Sequence, residues 1–306
     1  NLANVSLSGA NLANVSLSGA DLTGANLTDA SLTGADLTDV DLSGAELSDL
    51  DASGANLTGA HLSDTDLTTV NLKGAILAGA DLSSVSLAGT DLSGMNLTGA
   101  NLTHTDLSGA NLTGANLTGA NLTGADVSHT DLTDVDLTDV SFTDVDLREV
   151  NFTDVDLTDI NLTGADLSYT DLRGAKLKGA NLAGADLTGA NLIGMDLSSV
   201  VLTDANLTDA NLTDVNLTDA NLTRSDVSGT YLSGAGLTGA TLSDIDLTRV
   251  SLSGVNLSGT NLSGANLSGT DLTDVNLTDV NLTDVNLTNA NLTDMNLTNA
   301  NLSGAD

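Results

Sequence analysis

The sequence predicts an all-β solenoid with about 20 residues in each coil. Three observations predict it: a five-residue period along the whole chain, a Leu in the second place of nearly every unit, and a small residue in the fifth place of most units. The 306 residues divide into 61 units with Asp306 left over, and the period never slips. Residues 111–125 show the unit in its purest form, NLTGA three times over.

A period of five excludes an ordinary helix and a flat strand. On an α-helix the Leu positions would drift by roughly 140° per unit, and on a strand they would alternate between faces. Every Leu stays inside only if the chain turns once per unit in the same sense. Four such turns close a square, and coils then stack about 4.8 Å apart. The second and fifth places point inward, and the first, third and fourth face water.

The units NLTGA, DLTDV and NLSGT resemble the pentapeptide-repeat family, whose motif is A-(D/N)-L-X-X. This resemblance implies a right-handed quadrilateral β-helix of roughly 15 coils, forming a single domain over residues 1–306. The family includes many members of unknown role and a few gyrase-binding DNA mimics. The resemblance therefore indicates the fold more strongly than the function.

Charge restricts the partners of the chain. It carries 41 acidic residues against 7 Lys and Arg, a net charge of −34, so phosphate is repelled and direct nucleic-acid binding is disfavoured. Basic proteins and metal cations are better partners. There is no Cys, which excludes disulfides and Cys-based zinc sites. No apolar run reaches the length of a membrane span.

Nothing in the sequence points to an enzyme. A uniform prism offers no cleft, and the many Ser and Thr residues have no paired His base. The three His residues, His61, His104 and His129, stand in outward places without metal-ligand spacing. We predict a non-enzymatic protein with no cofactor other than cations on its acidic face.

One outward line of carboxylates is a candidate cation site. Five Asp residues spaced by 20 fall on this line: Asp106, Asp126, Asp146, Asp166 and Asp186. Carboxylates about 4.8 Å apart repel each other. Raised pKa values, screening by salt, or bound Ca²⁺ would relieve the repulsion. A solvated face with splayed side chains is the alternative.

Two further surface features carry functional hypotheses. Outward-facing Asn-x-Ser/Thr triplets are candidate glycosylation sites, although the repeat creates this triplet automatically; representative positions are Asn111, Asn116, Asn121, Asn206, Asn211 and Asn216. A basic group could dock an acidic partner, or could instead relieve local self-repulsion; it comprises Tyr169, Arg173, Lys176 and Lys178.

Two irregularities in the core also lead to predictions. Leu50 is large where Ala is usual and Ala52 is small where Leu is usual, so we expect Leu50 to fill the space beside Ala52. Phe142 and Phe152 are half a coil apart. They should therefore meet near the coil axis, with ring centroids roughly 4.5–7 Å apart.

The sequence favours a structural rod or filament segment, extracellular and assembled end to end through open coil ends. The chain starts at Asn1 in mid-repeat without a Met, which suggests part of a longer or processed protein. The alternative is a cytoplasmic DNA mimic that binds a topoisomerase or another DNA-binding protein. Its charge density, one per roughly 2 Å of axis, approaches that of duplex DNA.

Overall fold

The computed structural model describes residues 1–132, 134–150, 152, 155–252 and 255–306. In this described part there is no helix, and no strand is longer than a single residue. Instead, first-place residues form isolated parallel β-bridges to the residue 20 positions later, from Ser6↔Asn26 through Asn281↔Asn301. The predicted coil of about 20 residues is confirmed by this register.

The chain forms two compact units, Asn1–Asn151 and Phe152–Asp306. The same five-residue pattern of turns and bridges is present in each. The prediction of one domain over residues 1–306 stays a prediction.

In a regular pentapeptide all five backbone N–H groups are paired, as residues 206–210 illustrate. The first N–H donates to the carbonyl of Ala185 at 2.9 Å, and the second donates to the carbonyl of Asp226 at 2.7 Å. The third donates to the side-chain Oδ1 of Asn206 at 3.1 Å. The fourth donates to the carbonyl of Ser228, and the fifth to the second-place carbonyl of its own unit, both at 2.9 Å. Three bonds therefore join coils and two close the unit, so this unit leaves none of its backbone N–H groups unpaired.

The fourth residue of almost every unit has a positive φ, for example 57° at Asp209 and 71° at Gly229. Together with the bond from the fifth N–H to the second carbonyl, this is the pattern of a type II turn. Such a turn requires positive φ at its third residue, where Gly has no steric penalty and Asn and Asp have a small one. The turn therefore explains why Gly, Asp and Asn dominate the fourth place.

The core consists of the second-place and fifth-place side chains, as predicted. Second-place Leu residues away from the terminal coils are almost completely buried, and so are Phe142 and Phe152. The polar fifth-place residues are paired within the core: Thr130 and Thr260 donate to second-place carbonyls of their own units at 2.5 and 2.7 Å. Among the described residues, every buried side-chain nitrogen or oxygen has a partner. The predicted contact of Phe142 with Phe152 stays a prediction, because the two residues belong to different units.

Leu50 compensates for Ala52 in large part. Leu50 is 3 % exposed and therefore turned inward, as predicted. Both residues line an apolar cavity of about 10 Å³. A cavity of this size is at the lower limit for one water molecule. The exchange of a large and a small side chain thus fills the core except for a small void.

Thr69 and Arg249 are fourth-place residues of the described part that lack a positive φ. Around Thr69 the ladder of parallel bridges between neighbouring coils is interrupted. No described bridge joins residues 46 and 66, or residues 71 and 91. The N–H of Asp49 donates to the Oγ1 of Thr69 at 2.9 Å in place of the usual carbonyl. A β-branched residue resists positive φ, so the turn deforms and neighbouring coils separate.

Replacing Thr69 with Gly is expected to restore the turn and these coil-to-coil bonds. We expect the free energy of unfolding to rise by about 1–2 kcal/mol, because several net hydrogen bonds are gained. Chemical denaturation measures the change. Ser84→Gly is the control, because Ser84 already has a φ of 58° and should change little. Equal effects of the two substitutions would contradict this explanation.

Candidate functional site

The outer surface is an ordered array of first-place Asn and Asp side chains. At Asp136, Oδ1 accepts the backbone N–H of Thr138 at 3.1 Å and its hydroxyl at 2.7 Å. This is an Asx-turn, in which a side-chain acceptor replaces a backbone carbonyl. The first and third places of the repeat are therefore chemically coupled. An acceptor in the first place closes the turn, and a Thr or Ser in the third adds a second donor.

These turns favour the ionised form of the carboxylates. The hydroxyl of Thr138 is the main cause that lowers the pKa of Asp136, followed by the Thr138 backbone N–H. The same third-place donors lower the pKa of other first-place carboxylates; the hydroxyl leads in each except Asp41, where the backbone N–H of Ser43 does. These residues are Asp36, Asp41, Asp51, Asp66, Asp91, Asp156, Asp196, Asp226 and Asp271.

Acid should weaken the fold through these groups. Their pKa values are lowered from 3.8 in the folded chain, so their contribution to stability is present above that pH. It is lost as pH falls through the lower folded values. We expect the denaturation midpoint to fall steeply in this acid range. The variant Asp136→Asn keeps the turn acceptor and should show a shallower fall, and a slope identical to the unmodified chain would contradict the assignment.

Amide groups relieve part of the repulsion between stacked carboxylates. The Nδ2 of Asn71 donates to Asp51 at 3.0 Å, and Asn216 donates to Asp196 at 2.9 Å. Each pair is 20 residues apart, so the bond joins neighbouring coils. The mixture of Asn and Asp in the first place thus keeps the charge and adds side-chain bonds between coils.

Within each compact unit, residues of the predicted cation column stack on one another. Bridges join Asp106 to Asp126 and Asp126 to Asp146 in the unit Asn1–Asn151, and join Asp166 to Asp186 in the unit Phe152–Asp306. Every one of the five has an Oδ1 that accepts a third-place backbone N–H, at 2.9 to 3.1 Å.

In Asp146, a carboxylate of these stacks, the pKa is shifted downward. The side-chain hydrogen bond from Arg148 is the main cause that lowers its pKa, so protonation does not relieve repulsion there. Among the described residues, no group of three or more His, Cys, Asp or Glu side chains is arranged to hold a metal ion. Cation binding stays a prediction, tested by comparing unfolding temperatures in CaCl₂ and NaCl at equal ionic strength.

The predicted docking residues lie on different bridge stacks. Three consecutive pentapeptides contain them: Tyr169 is in the first, Arg173 in the second, and Lys176 and Lys178 in the third. The first-place residues of these pentapeptides belong to different bridge stacks. Arg173 pairs with Asp171 at 2.6 Å, and Lys176 pairs with Asp156 at 3.1 Å. Tyr169 is exposed, and its ring lies over Gly189. These ion pairs favour the alternative that the basic residues relieve local self-repulsion.

The candidate glycosylation residues have a clear structural use. All six accept the third-place N–H through Oδ1 at 2.9 to 3.2 Å; they are Asn111, Asn116, Asn121, Asn206, Asn211 and Asn216. In Asn206 and Asn216 the Nδ2 also donates to an Asp of the preceding coil. The turn therefore accounts for these Asn residues, and their glycosylation stays a prediction.

The His residues are distributed along the surface. His129 lies 3.2 Å from Glu149, and His104 occupies a fourth place with a φ of 56°. His61 stacks on Asp41 in the first place. No helix in the described part is long and apolar enough to cross a membrane.

Comparison with known proteins agrees with this geometry. The family profile "Pentapeptide repeats (8 copies)" matches overlapping stretches that together run from residue 1 to residue 306. The chain is a member of the pentapeptide-repeat family. Members of this family form right-handed quadrilateral β-helices, and four five-residue units make up the 20-residue register seen here.

Solved pentapeptide-repeat structures are among the relatives. HetL, a pentapeptide-repeat protein involved in heterocyst differentiation regulation in the cyanobacterium Nostoc sp. strain PCC 7120, is 36% identical over 79% of this chain and 91% of its own, with a TM-score of 0.29. QnrB1, a plasmid-mediated fluoroquinolone resistance protein, is 19% identical over 74% of this chain and 90% of its own, with a TM-score of 0.32.

A third relative comes from the thylakoid lumen of Arabidopsis thaliana. This pentapeptide-repeat protein is 29% identical over 40% of this chain and 69% of its own, with a TM-score of 0.14. Among curated proteins there is no match. TM-scores this low carry no structural argument, so membership rests on the repeat match and on the identity to HetL.

Proposed function

We propose that this pentapeptide-repeat protein is a non-enzymatic binding scaffold. Its acidic surface would occupy the DNA site of a DNA-binding protein such as a topoisomerase. One observation carries the proposal: Asx-turns fix first-place carboxylates in position, as at Asp136 and Asp226. A partner with a basic groove would meet charges that are already ionised and positioned.

Charge spacing supports the same function. Within each unit the 20-residue register stacks coils roughly 4.8 Å apart, and a net charge of −34 over 306 residues is about two charges per coil, or roughly one per 2 Å of axis, against one per 1.7 Å in duplex DNA. Binding should therefore release counterions from the partner's groove and weaken as salt rises. Such a scaffold would work in the compartment that holds its partner.

The structural rod favoured by the sequence is the second candidate. It uses the same pairing of backbone groups between coils within each unit. An end-to-end filament further requires contacts between copies, which sedimentation of the purified protein would detect. A concentration-dependent increase in mass would support the rod, and its extracellular location would remain a separate prediction.

Inhibition of purified bacterial DNA gyrase tests the DNA-mimic function. We expect the protein to inhibit DNA supercoiling and to compete with duplex DNA, more strongly at low salt. The matched variant replaces the five stacked carboxylates by Asn, namely Asp106, Asp126, Asp146, Asp166 and Asp186. Asn206 makes the same turn in this line of residues, so the fold should be kept.

The variant should inhibit less and depend less on salt than the unmodified protein. Circular dichroism and the melting temperature would show that the β-helix is intact. Absence of competition by the unmodified protein, or equal inhibition by both proteins, would contradict the proposal.

A further inference from the structure

On one side of the coil, the backbone hydrogen bonds between neighbouring coils are interrupted. The gap lies between residues 69–75 and residues 88–96. The usual bonds from Leu72 to the Asp91 carbonyl and from Gly74 to the Ser93 carbonyl are absent in this described stretch. In the next coil, the corresponding N–H groups of Leu92 and Gly94 donate at 2.9 and 3.0 Å. A cavity of about 660 Å³ occupies this opening.

The opening has two borders, one on each coil, which we call its lower and upper lips. Each presents unpaired backbone groups, as the edge of a β-sheet does. The lower lip offers the N–H groups of Leu72 and Gly74. The upper lip offers the carbonyls of Asp91 and Ser93, which accept no backbone bond from any described residue. The N–H of Asn96 also lacks its usual partner, the Ala75 carbonyl. Unpaired ladder groups of both kinds are the template on which another strand adds.

Two departures from the repeat lie beside the opening. Thr69 lacks the positive φ that closes the turn, and Met95 stands in the fifth place, where Ala or Val is usual. The cavity is bordered by apolar Val70, Leu72 and Met95, each less than one-tenth exposed. Lys73 and Asp91 supply one charge of each sign at its edge. The site therefore combines backbone donors and acceptors, an apolar floor and balanced charge.

We propose that this opening binds an extended peptide segment of a partner protein by strand addition. A peptide backbone supplies alternating N–H and C=O groups, which match both lips. The apolar floor would accept one aliphatic side chain, and a neutral segment matches the pair of opposite charges. Nucleic acid does not fit, because the chain has a net charge of −34. This site is independent of the acidic surface proposed above.

Titration with the capped peptide acetyl-NLTGA-amide, followed by amide NMR, tests the proposal on the full chain. We expect saturable shifts and slower hydrogen exchange at Leu72, Gly74, Asp91 and Asn96. The same peptide carrying N-methyl groups at alternate residues has fewer donors. It should bind about tenfold more weakly or worse, because the loss of even one or two net hydrogen bonds has this effect.

The variant Thr69→Gly, which should close the opening, is expected to lose peptide binding. Ser84→Gly should retain it. The N-methylated peptide keeps the test valid even if Thr69→Gly leaves the lips open. Equal binding of the two peptides, or no shifts with the unmodified one, would overturn the proposal. Concentration-dependent shifts without peptide would also overturn it, because a second copy would then fill the opening.

Discussion

Replacing Leu207 with Ala is expected to lower the free energy of unfolding by about 2–5 kcal/mol. Leu207 is fully buried, and its removal leaves a cavity that flanking coils cannot fill without breaking their bonds. Its N–H and its carbonyl both take part in the backbone pairing. Contacts in a solenoid are local, so the loss should concentrate in the coils on either side. Urea denaturation measures the change.

Leu302→Ala is the matched control for this prediction. Leu302 occupies the same second place but is 42 % exposed. We expect it to lower the free energy of unfolding by about 1 kcal/mol or less, because little apolar surface is uncovered. A loss at Leu302 as large as the one at Leu207 would show that burial in the coil does not set the stability.

Replacing Gly114 with Val is expected to lower the free energy of unfolding by about 2–4 kcal/mol. Gly114 has a φ of 67°, and a Cβ there would meet no atom within 4 Å. Any loss must therefore come from the backbone conformation, which a β-branched residue resists. The turn should deform as it does at Thr69, so bonds to the neighbouring coils would also be lost.

Gly114→Asn separates conformation from size. Asn has the same positive φ in the fourth place at Asn4 and Asn289, so its cost should be about 1 kcal/mol or less. Thermal unfolding of the two variants gives the comparison. Similar losses for Val and Asn would contradict the role assigned to the positive φ.

The coil and its core could be predicted because both depend on period alone. A period of five permits one arrangement that buries Leu207 and its equivalents, and the bridges follow that register. The positive φ of the fourth place was not predicted, although the abundance of Gly, Asp and Asn there was visible. Small and polar residues are also expected in a place that faces water. The cause of this composition is steric, and it also determines where the ladder opens at Thr69.

The candidate sites were harder to predict because their partners lie elsewhere in the coil. The 20-residue spacing predicted that Asp106 would stack on Asp126, and the two residues do form a bridge. It could not show that each carboxylate already accepts a backbone N–H two residues later. Likewise, Arg173 and Lys176 looked like a cluster in sequence, but each pairs with a carboxylate on a different stack.

Hydrogen exchange at the third-place amides tests the central claim that a regular pentapeptide pairs all five of its backbone N–H groups. The amides of Thr138, Thr208 and Thr218 donate to first-place side chains. We therefore expect them to exchange far more slowly than in an unfolded chain, as slowly as the second-place amides beside them. The open lips at Leu72 and Gly74 should exchange fast. Exchange of the third-place amides at unfolded rates, with slow second-place amides, would contradict this account.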